Sequence, residues 1–205
     1  MWAAHQWTIG DRSKPMKSKL TVIVLASFVL AFIMSPRPVL AQYNSSTNPA
    51  SIGAPVRSMI ELGSVYSNIY DITITVLETV RGKEAMDRLK KASRTNSSPS
   101  RGFEYILVRV KFEMKGRAVT DILTFDLGNA PLQWVSLASD LTEYPQISVA
   151  VPEPALMGTV KPGDSMEGWV AFAVDRKDSK PVMVFDPDSG GATGRGKTLF
   201  FKLYR

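Results

Sequence analysis

The chain has 205 residues, with 25 Lys+Arg against 19 Asp+Glu, one His and no Cys. Disulfides, thiol nucleophiles and Cys-bearing zinc sites are therefore excluded. The lone His is His5, so the chain beyond it also lacks an imidazole base for acid–base or Ser-His chemistry. The formal charge of +6 would suit a nucleic acid or an anionic surface, but much of it sits at the N-terminus.

Residues 16–41 read as a secretory signal peptide. Lys17 and Lys19 form a basic n-region, Leu20 to Met34 is an unbroken apolar and small-residue run, and Val39-Leu40-Ala41 is a small-residue cleavage site before Gln42. A spanning helix wants ~20 residues, more than this run supplies, and Pro36-Arg37-Pro38 closes it abruptly. Residues 1–15 add nothing that an n-region needs, so translation is expected to begin at Met16. The alternative keeps the leader uncleaved, with residues 20–34 anchoring an envelope-tethered subunit. Cleavage removes Arg12, Lys14, Lys17, Lys19 and Arg37 but only one acid, Asp11, which leaves about +2. The expected protein is thus secreted or extracytoplasmic, with no nucleic-acid partner and a membrane only if the leader stays. No Cys follows the leader for lipid anchoring.

Residues 42–60 begin small, polar and Pro/Gly-interrupted and are expected to be a flexible tether. Asn44-Ser45-Ser46 and, later, Asn96-Ser97-Ser98 fit the glycosylation sequon, a triplet that polar loops also produce by chance. Residues 61–205 are expected to form one domain. Ile72, Ile74 and Val76 alternate with Thr73 and Thr75, and Ile106, Val108, Val110, Phe112 and Met114 alternate with a mostly charged set, the pattern of half-buried strands. Leu123–Leu127, Leu132–Leu137, Met166–Val174, Val182–Phe185 and Thr198–Leu203 are further short strands, separated by Gly- and Pro-marked turns. Lys83–Ala92 alone is helical, with Ala85, Leu89 and Ala92 on its weakly apolar face. The expectation is an all-β sandwich with one short helix.

Gly191-Ala-Thr-Gly-Arg-Gly196-Lys197-Thr198 matches the phosphate-cradling P-loop pattern. That chemistry needs the loop to open a helix whose amides hold the phosphates, whereas Leu199–Leu203 reads as a strand. The match is a coincidence. The same region starts like a calcium loop at Asp186 and Asp188, but Lys197 stands where a bidentate Glu is required, so only a looser calcium site at Asp186/Asp188 survives. The acid pairs Asp121/Asp126 and Asp175/Asp178 have no spacing that separates them from ordinary loop acids. Trp134 and Trp169, lying in strands, are expected in the core.

From Ile69 onward the chain resembles a family of bacterial exported immunoglobulin-like domains of unknown function, labelled in some catalogues after a telomeric repeat-binding factor and distantly similar to a secreted mycobacterial immunogenic antigen. The resemblance is carried by residues 74–85 (ITVLETVRGKEA), 102–112 (GFEYILVRVKF), 151–154 (VPEP) and 158–174 (GTVKPGDSMEGWVAFAV). It implies an immunoglobulin-like sandwich and carries over no catalytic residue. The expected function is a non-catalytic binding or structural module for an envelope or extracellular protein or glycan. The alternative is a calcium- or carboxylate-dependent envelope hydrolase. The long connection Ser139–Met157 together with Asp186–Lys197 is the expected contact surface.

Overall fold

The computed structural model describes residues 44–63, 67–127, 133–188 and 194–205, all within one unit, Tyr43–Arg205. The leader, its apolar run and the centre of the Gly-rich loop lie outside the described residues. Among the described residues no helix is long and apolar enough to cross a membrane.

The elements in chain order are β1 (Val56–Leu62), β2 (Asn68–Arg81), α1 (Lys83–Ala92), β3 (Phe103–Gly116), β4 (Phe125–Asp126), β5 (Trp134–Leu137), β6 (Thr159–Val160), β7 (Ser165–Asp175), β8 (Val182–Phe185), β9 (Gly194–Gly196) and β10 (Leu199–Lys202). They form a five-stranded sheet β7-β3-β2-β1-β9, a three-stranded sheet β10-β8-β5 and a small pair β4-β6. The result is the expected all-β sandwich with one short helix. Ile72, Ile74, Val76, Val108, Val110 and Phe112 of the large sheet share one core with Trp134, Met183, Phe185 and Phe201 of the small one. Phe185 sits at its centre, with ring centroids 4.7 Å from Trp134, 5.9 Å from Phe112 and 6.1 Å from Phe125.

A second apolar cluster lies on the other face of the large sheet. It gathers Val80, Ala85, Leu89, Tyr105, Leu107, Trp169 and Ala173. Period-2 alternation alone would send Val80 to the same side as Val76. A bulge prevents this: Val76 pairs with Val110 but Glu78 pairs with Arg109, leaving Leu77 as the extra residue. Beyond it the parity of β2 is reversed, and Val80 lies opposite Leu107 beneath the helix. Gly82, with φ 67°, then turns the chain into α1. The helix buries Ala85 and Leu89 as its pattern predicts. Ala92, expected on the same face, is exposed, and Met86 packs there instead.

The expected tether is corrected from Asn44 onward. The Asn44 carboxamide donates to Phe200 O (2.7 Å) and accepts from Phe200 N (2.8 Å). Ala50 N donates to Phe200 O (2.9 Å), and Lys202 N donates to Ala50 O (2.8 Å), so the segment runs parallel to β10 along its free edge. Val56–Leu62 is strand β1 itself. Hydrogen bonding to a sheet edge needs backbone, not apolar side chains, so composition gave no sign of it.

Candidate functional site

The connection from β5 to β6 is the longest irregular stretch among the described residues. Ala138 N donates to Thr142 O (2.8 Å), and Leu141 (φ 69°) occupies the left-handed region, which brings the chain back against β5 at Tyr144, whose N–H reaches Ser136 O (2.9 Å). From there it extends as a strap. Ile147, Val149 and Val151 point inward to the outer apolar cluster, while Gln146, Ser148 and Ala150 are exposed. β5 and β7 are the edge strands of the two sheets, and the strap lies against both.

Three anchors hold the strap. At its start the Tyr144 hydroxyl donates to Asp178 (2.8 Å), and Phe103 packs edge-on to the Tyr144 ring at 6.2 Å. Midway, Asn96 is 5 % exposed and donates to both Leu89 O (2.8 Å) and Ala150 O (2.7 Å), while its Oδ1 accepts from Ala150 N (2.8 Å). At the end, Trp169 N donates to Pro154 O (2.9 Å) and Leu156 N to Trp169 O (3.0 Å). Two clefts flank the strap. One, of ≈ 150 Å³, is walled by β5, β7 and the strap, and includes Trp134, Tyr144, Leu156, Trp169 and Phe172. The other, of ≈ 260 Å³, lies between the strap and residues 97–105, with Ser97, Ser98 and Ser100 on its wall.

Burial pushes the Tyr144 phenol up to about 12, with Asp178 beside it adding to the rise. Burial also works against the Asp178 carboxylate, but donors at Lys180 N, Tyr144 Oη and Ser139 N outweigh it and hold its pKa below the usual value. A phenol with a raised pKa contributes stability that is complete below the unfolded value near 10 and is lost as pH rises toward 12. Tyr144→Phe is therefore expected to cost about 1–2 kcal/mol at neutral pH and to remove this component of the alkaline loss. Thermal melts of both proteins at pH 7 to 12 measure it; parallel curves throughout would refute the assignment.

The other predicted residues are placed as follows. Asp175 and Asp178 belong to one turn, where Asp175 Oδ1 accepts from Lys177 N (2.8 Å) and Asp178 fastens the strap. Asp121 Oδ2 accepts from Arg117 N (2.6 Å) and Ala118 N (2.8 Å), capping the turn after β3, and Asp126 lies in β4. Asp186 Oδ1 accepts from Asp188 N (3.2 Å), and among the described residues no three or more His, Cys, Asp or Glu are grouped so as to hold a metal ion. Gly194–Gly196 forms β9 and Leu199–Lys202 forms β10, so the residues after the P-loop-like match are a strand. Both sequon asparagines use their carboxamides within the fold. Trp134 and Trp169 are buried, the latter with the Arg88 guanidinium 5.5 Å over its ring.

The strap and Gly194–Gly196, the strand formed by the described end of the second segment expected in one contact surface, are not brought together. The strap runs along β7, whereas Gly194–Gly196 pairs with β1 at the opposite edge of the large sheet. The reason is topological: β9 returns to β1, whose residues up to Ile60 composition had assigned to a tether. Asn96, Tyr144 and Gly168, which hold or admit the strap, were not singled out by residue type. Asn96 drew notice only as a sequon. No family model, no curated protein and no solved structure matches this chain.

Proposed function

We propose that this chain is an exported, non-catalytic binding module that acts at the cell envelope or outside the cell, with the strap as its recognition segment. Export rests on the signal pattern of residues 16–41. The recognition segment rests on one observation: residues 145–157 form neither helix nor strand, yet are pinned at three places to a rigid sandwich. A loop fixed on a scaffold presents side chains in a constant arrangement, and recognition commonly uses such loops. Gln146, Ser148 and Met157 face outward, Met157 with 67 % of its surface exposed. The partner consistent with this surface is an envelope or extracellular protein or glycan.

The test replaces the outward residues while leaving the inward ones alone. Gln146→Arg, Ser148→Arg and Met157→Glu combined should shift the melting temperature by no more than about 2 °C, since exposed substitutions are nearly neutral. Cross-linking of the full-length chain in its native envelope should then lose the adducts formed by the wild type. An unchanged adduct pattern would overturn the strap as the recognition segment.

A further inference from the structure

We propose that the serine-lined cleft between the strap and residues 97–105 binds a short acidic oligosaccharide, with its carboxylates on the cations at both ends of that segment and its hydroxyls on the serines between. The site rests on the reading of this chain as an exported binding module and names the class of its ligand. Charge is the first ground. From Arg88 to Phe103 the chain carries five Lys or Arg and no Asp or Glu. Arg88 is paired with Glu78 and Glu84, but Lys90, Lys91, Arg94 and Arg101 are exposed and join no ion pair among the described residues. Lys90 Nζ reaches Arg94 O at 3.5 Å, which gathers the first three at the end of α1. The next acid, Glu104, is taken by Arg81. On the β7 side Asp175 is followed by Arg176 and Lys177, and on the strap side Glu143 is the one acid within two residues of the wall. A single exposed ion pair is worth little, whereas several acting on one polyanion add up.

The cleft between these cations is itself uncharged: none of its wall residues is Asp, Glu, Lys or Arg. Ser97, Ser98, Ser100, Gln146 and Ser148 line it, are exposed, and have no side-chain hydrogen-bond partner among the described residues. They offer hydroxyl and amide donors and acceptors without breaking any bond of the fold, while Pro99, Phe103 and Pro145 offer apolar surface to the C–H face of a sugar ring. Arg94 stands three residues before Ser97, and Arg101 directly follows Ser100. The seven steps from 94 to 101 span at most about 24 Å of extended chain, so one sugar touches one end and several linked sugars touch both. The half-open cleft lets such a ligand keep part of its hydration. A lipid surface is too flat to follow a concave wall, and an acidic peptide brings carboxylates without the hydroxyls that the serines would meet.

Titrated into the full-length ¹⁵N-labelled chain, a galacturonate hexamer should displace the amide resonances of Ser97, Ser98, Ser100 and Ser148. It should bind about tenfold tighter than the galacturonic acid monomer or neutral maltohexaose, and more weakly as salt is raised. The peptide hexaglutamate, close to it in charge but without hydroxyls, should bind about threefold more weakly than the hexamer. Lys90→Gln, Lys91→Gln and Arg94→Gln combined should weaken the hexamer about tenfold and Arg101→Gln about threefold, with melting temperatures within about 2 °C of wild type because all four sites are exposed. Unmoved serine amides, hexaglutamate binding as well as the hexamer, affinity indifferent to the Gln variants, or capture by phosphatidylglycerol vesicles in place of the hexamer would each overturn the site. These variants leave residues 145–157 intact, and the cross-linking variants leave the four cations intact, so this site and the strap's role in recognition can fail separately.

Discussion

Asn96→Ala is expected to lower stability by about 3 kcal/mol, on the order of 10 °C in melting temperature for a domain of this size. The asparagine is buried and makes three hydrogen bonds, one to the C-terminal part of α1 at Leu89 and two to the strap at Ala150. Alanine removes all three and leaves a space no backbone group can fill. The loss is not the sum of three full bonds: Leu89 O keeps the Ser93 N–H (3.0 Å), and Ala150 is exposed, so water can replace part of what is lost there. Asn96→Asp separates shape from chemistry. It preserves the acceptor for Ala150 N but sets a carboxylate against two carbonyl oxygens, and should be at least as harmful at neutral pH. Differential scanning calorimetry gives the stability, and hydrogen exchange at the Ala150 amide gives the local effect, which should be marked in both variants. A melting temperature within 2 °C of wild type would mean that the helix and the strap are held together by packing alone.

The contrast between α1 and the strap shows what residue order reveals. The helix announces its own ends: Gly82 precedes it, its pattern is periodic, and its bounds Lys83–Ala92 match the expectation. β3 is legible because alternation persists along Ile106–Met114, and its paired sheet face needs no knowledge of the partner. The bulge at Leu77 is not legible, since an extra residue appears only once two strands are aligned. Leu107 shows the consequence. Alternation placed it on the charged face, yet it is fully buried, because the reversed end of β2 and the helix cover that part of the sheet. The strap escapes for a related reason. Its inward residues Ile147, Val149 and Val151 alternate as a strand would, but what fixes it is a polar side chain from before β3 and a backbone pair on β7. None of these contacts leaves a mark within residues 145–157.

Gly168→Ala should destabilise by at least about 3 kcal/mol, although alanine is normally favoured over glycine in a strand by roughly 0.5–1 kcal/mol. Space decides the sign. A Cβ at position 168 would lie inside van der Waals contact of Ala155 C and Leu156 N and 2.6 Å from Ala155 O, all of them backbone atoms. A flexible side chain could swing aside; a peptide unit moves only with its neighbours. Relief therefore requires lifting the strap from β7, which sacrifices the Trp169–Pro154 and Leu156–Trp169 hydrogen bonds and exposes Trp169 and Leu156. Gly53→Ala supplies the opposite control. Its φ of 83° disfavours a side chain, yet nothing lies within 4 Å of the added Cβ, so its cost should be the backbone's alone, about 1–2 kcal/mol. The order Gly168→Ala worse than Gly53→Ala is the expected result, with new proteolytic cleavage between residues 145 and 157 only in the former. The reverse order, or an uncut strap in Gly168→Ala, would show that the strap tolerates displacement at its β7 end and that the cleft does not depend on close backbone approach there.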